Sequence, residues 1–429
     1  MLLAIIPMSV FALGDTVSNT VSITDYAASA NKATDHPFSS WIITISDVDE
    51  LKTFNTWTGP NNAQDKNGLK GAHIRIENDI DYSGKTWNMM VFDGTFDGNG
   101  HTISNVTVAA STSIGGMFKY AGGTIENLTV SGLTSVHGTS ANHVGGLVGT
   151  RANSNVNSSN LTIANVHIIN GNVQGKSSVG GIIGNTNGDT VTDKTVTISN
   201  CSFNGTVKGT ENVGGIIGYC VNASSVSVSN CSVSLEDAIG TSTYVGSIIG
   251  LVNANTTVTN CTVLPSDYNP SNYANLKSGS TKTLETSGCT SGESADIRYY
   301  GFQNSETYEN TESNTVVDYR IVGTLDAEDL STLSDVGFYV TLTYSGATKV
   351  QKVSCKTVYS SVKGGGITYY AGEGTNTATE EYVDGDYLFV LVIPGVPADV
   401  SVDAKFTPYM TDAKGITACG STQDVTLKN

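Results

Sequence analysis

The stretch TISNCSFNGTVKGTENVGGIIG, residues 197–218, decides the fold. It is poor in charge, holds an asparagine followed by a cysteine, and ends in a glycine cluster. Read alone, the cluster could be a phosphate-binding loop. Read against the rest of the chain, it is one copy of a repeat. V-G-G-L-V-G ends at Gly149, V-G-G-I-I-G ends at Gly184 and again at Gly218, V-G-S-I-I-G ends at Gly250, and S-I-G-G-M-F is a weaker copy around Gly115. These copies recur about every 30 to 35 residues, the signature of a stacked repeat. A phosphate loop is needed once and opens a helix. These glycines recur, and no helical pattern follows them.

A second motif interleaves with the first: TISNVTV, TIENLTV, TIANVHI, TISNCSF, SVSNCSV and TVTNCTV, with asparagines at Asn105, Asn127, Asn165, Asn200, Asn230 and Asn260. Apolar residues flank each asparagine with a spacing of three and then two, as in Ile198, Cys201 and Phe203. A strand alone gives two throughout. The extra residue implies a corner, and asparagine tolerates the left-handed backbone that a corner needs. Stacked corners would form a ladder of side-chain amides. The expected fold is all-β: a parallel β-helix with an N-terminal helical cap, followed by a β-sandwich. The structural glycines are Gly145, Gly146, Gly149, Gly180, Gly181, Gly184, Gly214, Gly215 and Gly218. Each layer adds about 4.8 Å, so some six layers give a body about 30 Å long. Several asparagines also begin N-x-S/T sequons, such as Asn127-Leu-Thr and Asn260-Cys-Thr. As glycosylation sites these would mean a eukaryotic secreted protein. The corner accounts for all six with one cause.

Cys201, Cys231 and Cys261 each follow a repeat asparagine and read as a stacked column of small apolar side chains. Seven cysteines leave no complete disulfide framework, although Cys355 and Cys419 could pair. C-x-x-C is absent and all six histidines lie at or before His167, so a zinc-finger pattern is missing. Charged residues are only 14% of the 429, and the net charge is -17. That balance argues against a nucleic-acid partner. The opening MLLAIIPMSVFALGDT has an apolar run too short to span a bilayer, with Ala12 and Gly14 as a small-x-small site before Asp15. It reads as a secretory signal peptide, without membrane insertion of the mature chain.

The domain reading is 1–14 signal peptide, 15–59 N-terminal strand and capping helix, 60–264 β-helix, 265–314 polar linker, and 315–429 β-sandwich. Ser46, with Asp49 three residues on, is the expected cap of a helix over ISDVDELKTFNTW, which Trp57 would close. In the last part Val317, Tyr319 and Ile321 alternate, as do Phe338, Val340 and Leu342, and Leu388, Val390 and Val392, between turn signals.

ENDIDYSGKTW followed by FDGTFDGNGHTISNVTV resembles the opening segment of secreted bacterial proteins with GLUG repeats, and the V-G-G-[LI]-[VI]-G copies resemble the GLUG motif itself. The resemblance covers residues 40–264. Here Asn-Met-Met follows Trp87 where Pro-Ile-Gly is more usual, Lys119 follows Phe118, and Ser247 replaces a glycine. The resemblance implies a β-helix in a surface or secreted protein, a class that includes adhesins and noncatalytic regions of IgA-cleaving metalloproteases. The C-terminal part is similar to a module of secreted proteins from gut Firmicutes.

Candidate chemistry is sparse. Asp93 and Asp97 flank G-T-F, and Asp79 and Asp81 are two apart. They could act as acid and base or ligate calcium; turn chemistry accounts for them as well. His143, His167, Asp189, Asp193 and Glu211 form no column with the repeat period, and His101 and His137 stand alone. No cofactor is expected. Tyrosines enrich the second half, and Tyr369 and Tyr370 are the candidate ligand contacts. The expectation is a secreted or cell-surface protein, monomeric and noncatalytic, binding a host or environmental glycan or a protein ligand. The alternatives are a carbohydrate-active β-helix enzyme and a structural stalk.

Overall fold

The computed structural model describes residues 19–28, 41–56, 69–151, 160–187, 193–237, 244–263, 273–291, 298–304, 308–309, 315–325, 333–344, 347–355, 358–360, 387–412, 417–419 and 423–428. The expected signal peptide, Trp57, Asp189, Tyr369 and Tyr370 lie outside them. The described residues are 65% strand and 5% helix, an all-β composition.

The first part is one 24-stranded sheet and a separate five-stranded sheet, both parallel throughout. Each strand pairs with its counterpart one repeat later. Leu161–Gln174 pairs with Phe118–Ser131 on one side and with Thr195–Ser199 and Ser202–Lys208 on the other. The glycine segments His143–Gly145, Ser177–Gly180, Glu211–Gly214 and Val245–Gly246 pair in the smaller sheet, Gly145 opposite Gly180 and Gly180 opposite Gly214. Inward side chains make one long aliphatic core that includes Ile125, Ile163, Ile198, Val228 and Val258.

The parallel sheet is longer than the repeat motifs suggest. It begins at Asn19–Ser22 and Trp41–Ile45, and it continues beyond residue 264 through Ala274–Leu276, Leu284–Ser287 and Thr290–Ser291. Residues 265–314 are therefore not simply a linker. Leu284–Ser287 lies on Thr256–Thr259, placing Gly288 over Asn260 and Cys289 over Cys261. The last layer escapes the motif because Thr286 stands where earlier layers carry Val258 and Val228, and glycine replaces the asparagine. Arg298–Asn304 and Tyr308–Glu309 already belong to the next unit.

Helix α1 spans Ile23–Ala28 and α2 spans Val48–Thr56. Asp47, not Ser46, caps α2: its Oδ1 accepts the backbone N–H groups of Asp49 and Glu50, both at 2.9 Å. Glu50 reaches back to the Ser46 N–H (2.7 Å). The box is thus shifted by one residue, because an aspartate accepts these N–H groups as well as a serine does. Leu51 and Phe54 are the buried apolar residues of α2, and Phe54 meets Phe92 and Phe96 in a ring cluster that extends to Phe118.

The second part holds two antiparallel sheets. Thr315–Leu325 pairs with Tyr387–Pro397 in one, and Leu333–Tyr344 with Val402–Asp412 in the other. They share a core in which Phe338 meets Phe389 (centroids 5.0 Å) and Phe406. In Tyr387–Pro397 the inward phase is Phe389 and Leu391, and Val392 is 47% exposed, the reverse of the alternation expected for Leu388, Val390 and Val392. A continuous apolar run reads equally well in either phase. Cys355 is a free, buried thiol, contrary to a Cys355–Cys419 bridge. No helix among the described residues is long and apolar enough to cross a membrane.

This antiparallel unit leans on a flank of the parallel sheet. Tyr339 and Tyr409 pack around Ile169, the outward neighbour of inward Ile168.

Candidate binding face

The corners come first. Asn127, Asn165, Asn200, Asn230 and Asn260 have φ of 52–54°, in the left-handed region. Registers of the flanking strands place the five in one column, which Gly288 (φ 63°) extends. Asn165 Nδ2 donates to Asn127 Oδ1 (3.1 Å) and Asn230 Nδ2 to Asn200 Oδ1 (3.2 Å).

Asn105 is not in this column, although its φ is 57°. Its strand Thr102–Ser104 lies under Thr129, Val130 and Ser131, so Asn105 aligns with Gly132 and Asn170, at the next corner. Left-handed residues stack at this second corner in three layers, Asn105, Gly132 and Asn170, and TISNVTV matches the first corner's pattern while sitting at the second. Left-handed Asn99, Asn170, Asn212 and Asn222 also went unread in the sequence, because no apolar triplet frames them.

The glycines are sites of close approach. A Cβ on Gly145, Gly180 or Gly214 would meet the carbonyl oxygen of Val148, Ile183 or Ile217. One on Gly146, Gly181 or Gly215 would meet Gly181, Gly215 or Ser247 on the next layer, and those on Gly149, Gly184 and Gly218 would meet Ile114, Val144 and Ser178.

The four cysteines Cys201, Cys231, Cys261 and Cys289 are free thiols in a column. The first three donate to Ser199 O, Ser229 O and Thr259 O at 3.1–3.4 Å. Burial pushes the Cys231 thiol well up, and contact with Cys231 holds Cys261 up at about 12. A thiol that stays protonated is a poor nucleophile and a poor metal ligand.

The candidate acids separate. Asp93 lies in the strand Met90–Asp97 and is buried; FDGTFD is thus strand, and the turn begins at Gly98. Asp97 is on the outer face, where its Oδ1 accepts the Asn99 N–H (2.8 Å) and the Asn127 amide (3.1 Å). Asp81 Oδ1 similarly accepts from Ser83 N and Asn105 Nδ2, and Asp79 Oδ1 from Thr102 N. These carboxylates secure turns and corners. Among the described residues no group of three or more His, Cys, Asp or Glu is placed to hold a metal ion. His101 Nδ1 lies 3.4 Å from Asp79, His143 Nδ1 lies 3.1 Å from Asn185, and Asp193 pairs with Lys194. His137 accepts from Ser111 N and lies 3.0 Å from Ser135 Oγ, and burial lowers its pKa. Glu211 stands at the start of its strand, apart from the others.

What the residues do assemble is a flat, two-column ribbon on one outer face. Strand register stacks His73, Thr95, Thr124, Thr162, Thr197, Ser227, Thr257 and Glu285 in one column. Arg75, Asp97, Glu126, Ala164, Ser199, Ser229, Thr259 and Ser287 form the second. All of these are partly or fully exposed, while the residues between them are core except on the last layer, where Thr286 is exposed. Neighbours along a column are about 4.8 Å apart and the columns about 6.6 Å apart. From Thr162 to Thr259 the ribbon carries hydroxyls and one alanine, without a charge.

Its N-terminal end is charged. Arg75 pairs with Glu77 (2.6 Å). Burial, and then Asp97 on the adjacent layer, raise the Glu126 carboxyl. Burial lowers the His73 pKa, with Asp97 opposing, so its imidazole is neutral at neutral pH. Hydroxyls at fixed spacing both donate and accept hydrogen bonds, and they match a polyhydroxylated ligand better than a polyion. Sequence reasoning passed over this ribbon because threonines in strands are ordinary; the signal was the T-x-T and S-x-S spacing within each repeat.

No family model, no curated protein and no solved structure matches the chain.

Proposed function

We propose that the chain is a noncatalytic secreted or cell-surface binding protein, adhesin-like, that engages a glycan through the exposed ribbon. The parallel sheets are read as a β-helix that serves as a rigid scaffold, with α2 capping its N-terminal end and the asparagine column bracing its corners. The two antiparallel sheets are read as a β-sandwich. The observation that carries the proposal is the ribbon: sixteen positions held in register, uncharged over most of their length. The resemblance of residues 40–264 to GLUG-repeat proteins points the same way, and so do the acidic surface and the apolar N-terminal stretch. Individually weak hydroxyl contacts add up only along an extended ligand, which favours a polymer over a free sugar.

One observation favours the enzymatic alternative. Asp97 and Glu126 occupy adjacent layers, and the Glu126 carboxyl is raised, a trait of general acids. Both readings meet one experiment: a glycan array run beside reducing-sugar and unsaturated-product assays on host and plant polysaccharides. Saturable binding without turnover supports the proposal. Turnover abolished by Asp97→Ala or Glu126→Gln in folded protein would replace it with the enzyme, and neither binding nor turnover would leave a stalk.

A further inference from the structure

The flank beneath the antiparallel unit is built like the open ribbon. Its outward positions are Thr102 and Ser104, Thr129 and Ser131, His167 and Ile169, Ser202 and Asn204, and Ser232, stacked in register between core residues. Outward hydroxyls should be partly exposed, as they are on the open ribbon. Here Thr102, Ser104, Thr129, Ser131, Ser202, Asn204 and Ser232 are each 7% exposed or less. Only a cover explains that, and strands Ala347–Ser354 and Thr417–Cys419 lie against this flank.

The contact is largely polar on the flank's side. Among the described residues, the buried apolar cluster across it is Ile169 with Tyr339 and Tyr409. Lys352 lies over the Tyr409 ring (4.3 Å), pairs with Asp335 (3.2 Å), and stands close enough to His167 to help depress its pKa. The amide nitrogen of Asn204 is buried and has no hydrogen-bond partner among the described residues. A buried donor left unpaired is destabilising, because it has given up water without gaining a partner. Small, polar interfaces between domains separate readily. A flank evolved only to be covered would carry aliphatic residues; this one keeps a row of serines and threonines.

We infer that the C-terminal antiparallel unit is a detachable cover over a second hydroxyl ribbon, which takes the same class of ligand as the open one: an extended, uncharged polysaccharide. The inference rests on the open ribbon being a binding face. Docked, the unit leaves one ribbon available. Undocked, it presents two, on neighbouring faces of one scaffold.

The test uses the full chain and two variants that attack opposite sides of the contact, Ile169→Asp and Tyr339→Ala, each checked for retained strand content by circular dichroism. Three readouts are taken: the radius of gyration by small-angle scattering, hydroxyl-radical labelling of Tyr409, and retention on insoluble cellulose, chitin and β-glucan. The expected result is a larger radius, several-fold faster labelling of Tyr409, and a several-fold higher affinity for the polymer, because two ribbons on one scaffold bind with avidity. An unchanged radius and unchanged labelling in both variants would show a permanent interface and overturn the inference. Undocking without a gain in affinity, on a polymer the wild type binds, would overturn the second ribbon alone. Retention of neither wild type nor variant on any polymer would remove the open-ribbon reading, and the covered ligand face with it.

Discussion

The corner column makes a quantitative prediction at Asn230. This residue has φ 52°, and its amide donates to Asn200 Oδ1 at 3.2 Å. Replacing it with alanine removes the polar side chain that lets asparagine tolerate the left-handed region, at about 1–2 kcal/mol, and a hydrogen bond worth about 0.5–1.5 kcal/mol. The sum is about 1.5–3.5 kcal/mol. Asn230→Gly loses the same hydrogen bond but adopts the backbone freely, so it should cost only about 0.5–1.5 kcal/mol. Gly288 already stands in this column. Urea unfolding followed by tryptophan fluorescence is a suitable assay, because all three tryptophans, Trp41, Trp57 and Trp87, lie in the first part of the chain. With a slope of about 2 kcal/mol/M, alanine should lower the midpoint by about 0.7–1.8 M, and glycine by about half of that or less. An alanine variant as stable as the glycine variant would refute the corner-strain argument. Two variants as stable as wild type would refute the ladder as well.

Further outcomes follow from the same geometry. Gly181→Ala drives a methyl into the carbonyl of Gly215 and the Phe203 ring, and should lower the urea midpoint by more than any corner variant. Native protein treated with iodoacetamide at pH 8 should keep Cys201, Cys231 and Cys261 unmodified by mass spectrometry until urea is added, since all three are buried and thiols raised as far as Cys231 and Cys261 form almost no thiolate there. Burial, with Lys352 nearby, lowers His167 from its ordinary 6.5 to about 4, so the unfolded chain takes up its proton first on acidification. Stability should therefore fall as pH drops from about 6.5 to about 4 and level off below, and His167→Gln should flatten that part of the curve. Glu126 has the opposite sign: its raised carboxyl penalises the folded state at neutral pH and is relieved as pH falls, so Glu126→Gln should stabilise at pH 7 and lose that advantage in acid.

The strand-and-corner logic was readable from residues 197–218 because a spacing of three and then two has no strand or helix equivalent, and only a few residue types tolerate the corner. The same logic misplaced Asn105, whose neighbours satisfy the pattern at a different corner. It also stopped one layer early, where Thr286 and Gly288 replace the residues it relied on. The ribbon was hidden for a different reason. Serine and threonine at alternate strand positions carry no functional signal singly; their meaning comes from register between layers 28 to 38 residues apart, which only the folded chain displays. The docking of the second unit was equally hidden, since Tyr339, Tyr409 and Ile169 are far apart in sequence and each is an ordinary strand residue.

The central claim is that the open ribbon is the binding face, and a double variant tests it most directly. Thr197→Lys with Thr257→Lys puts two long charged side chains on the hydroxyl column without touching the core, because both threonines point outward between buried neighbours. Retention on the best glycan from the array is measured for wild type and variant at equal urea midpoints. The account predicts a loss of affinity of at least about tenfold, or about 1.4 kcal/mol. Wild-type affinity in a folded double variant would contradict it and place recognition elsewhere on the chain.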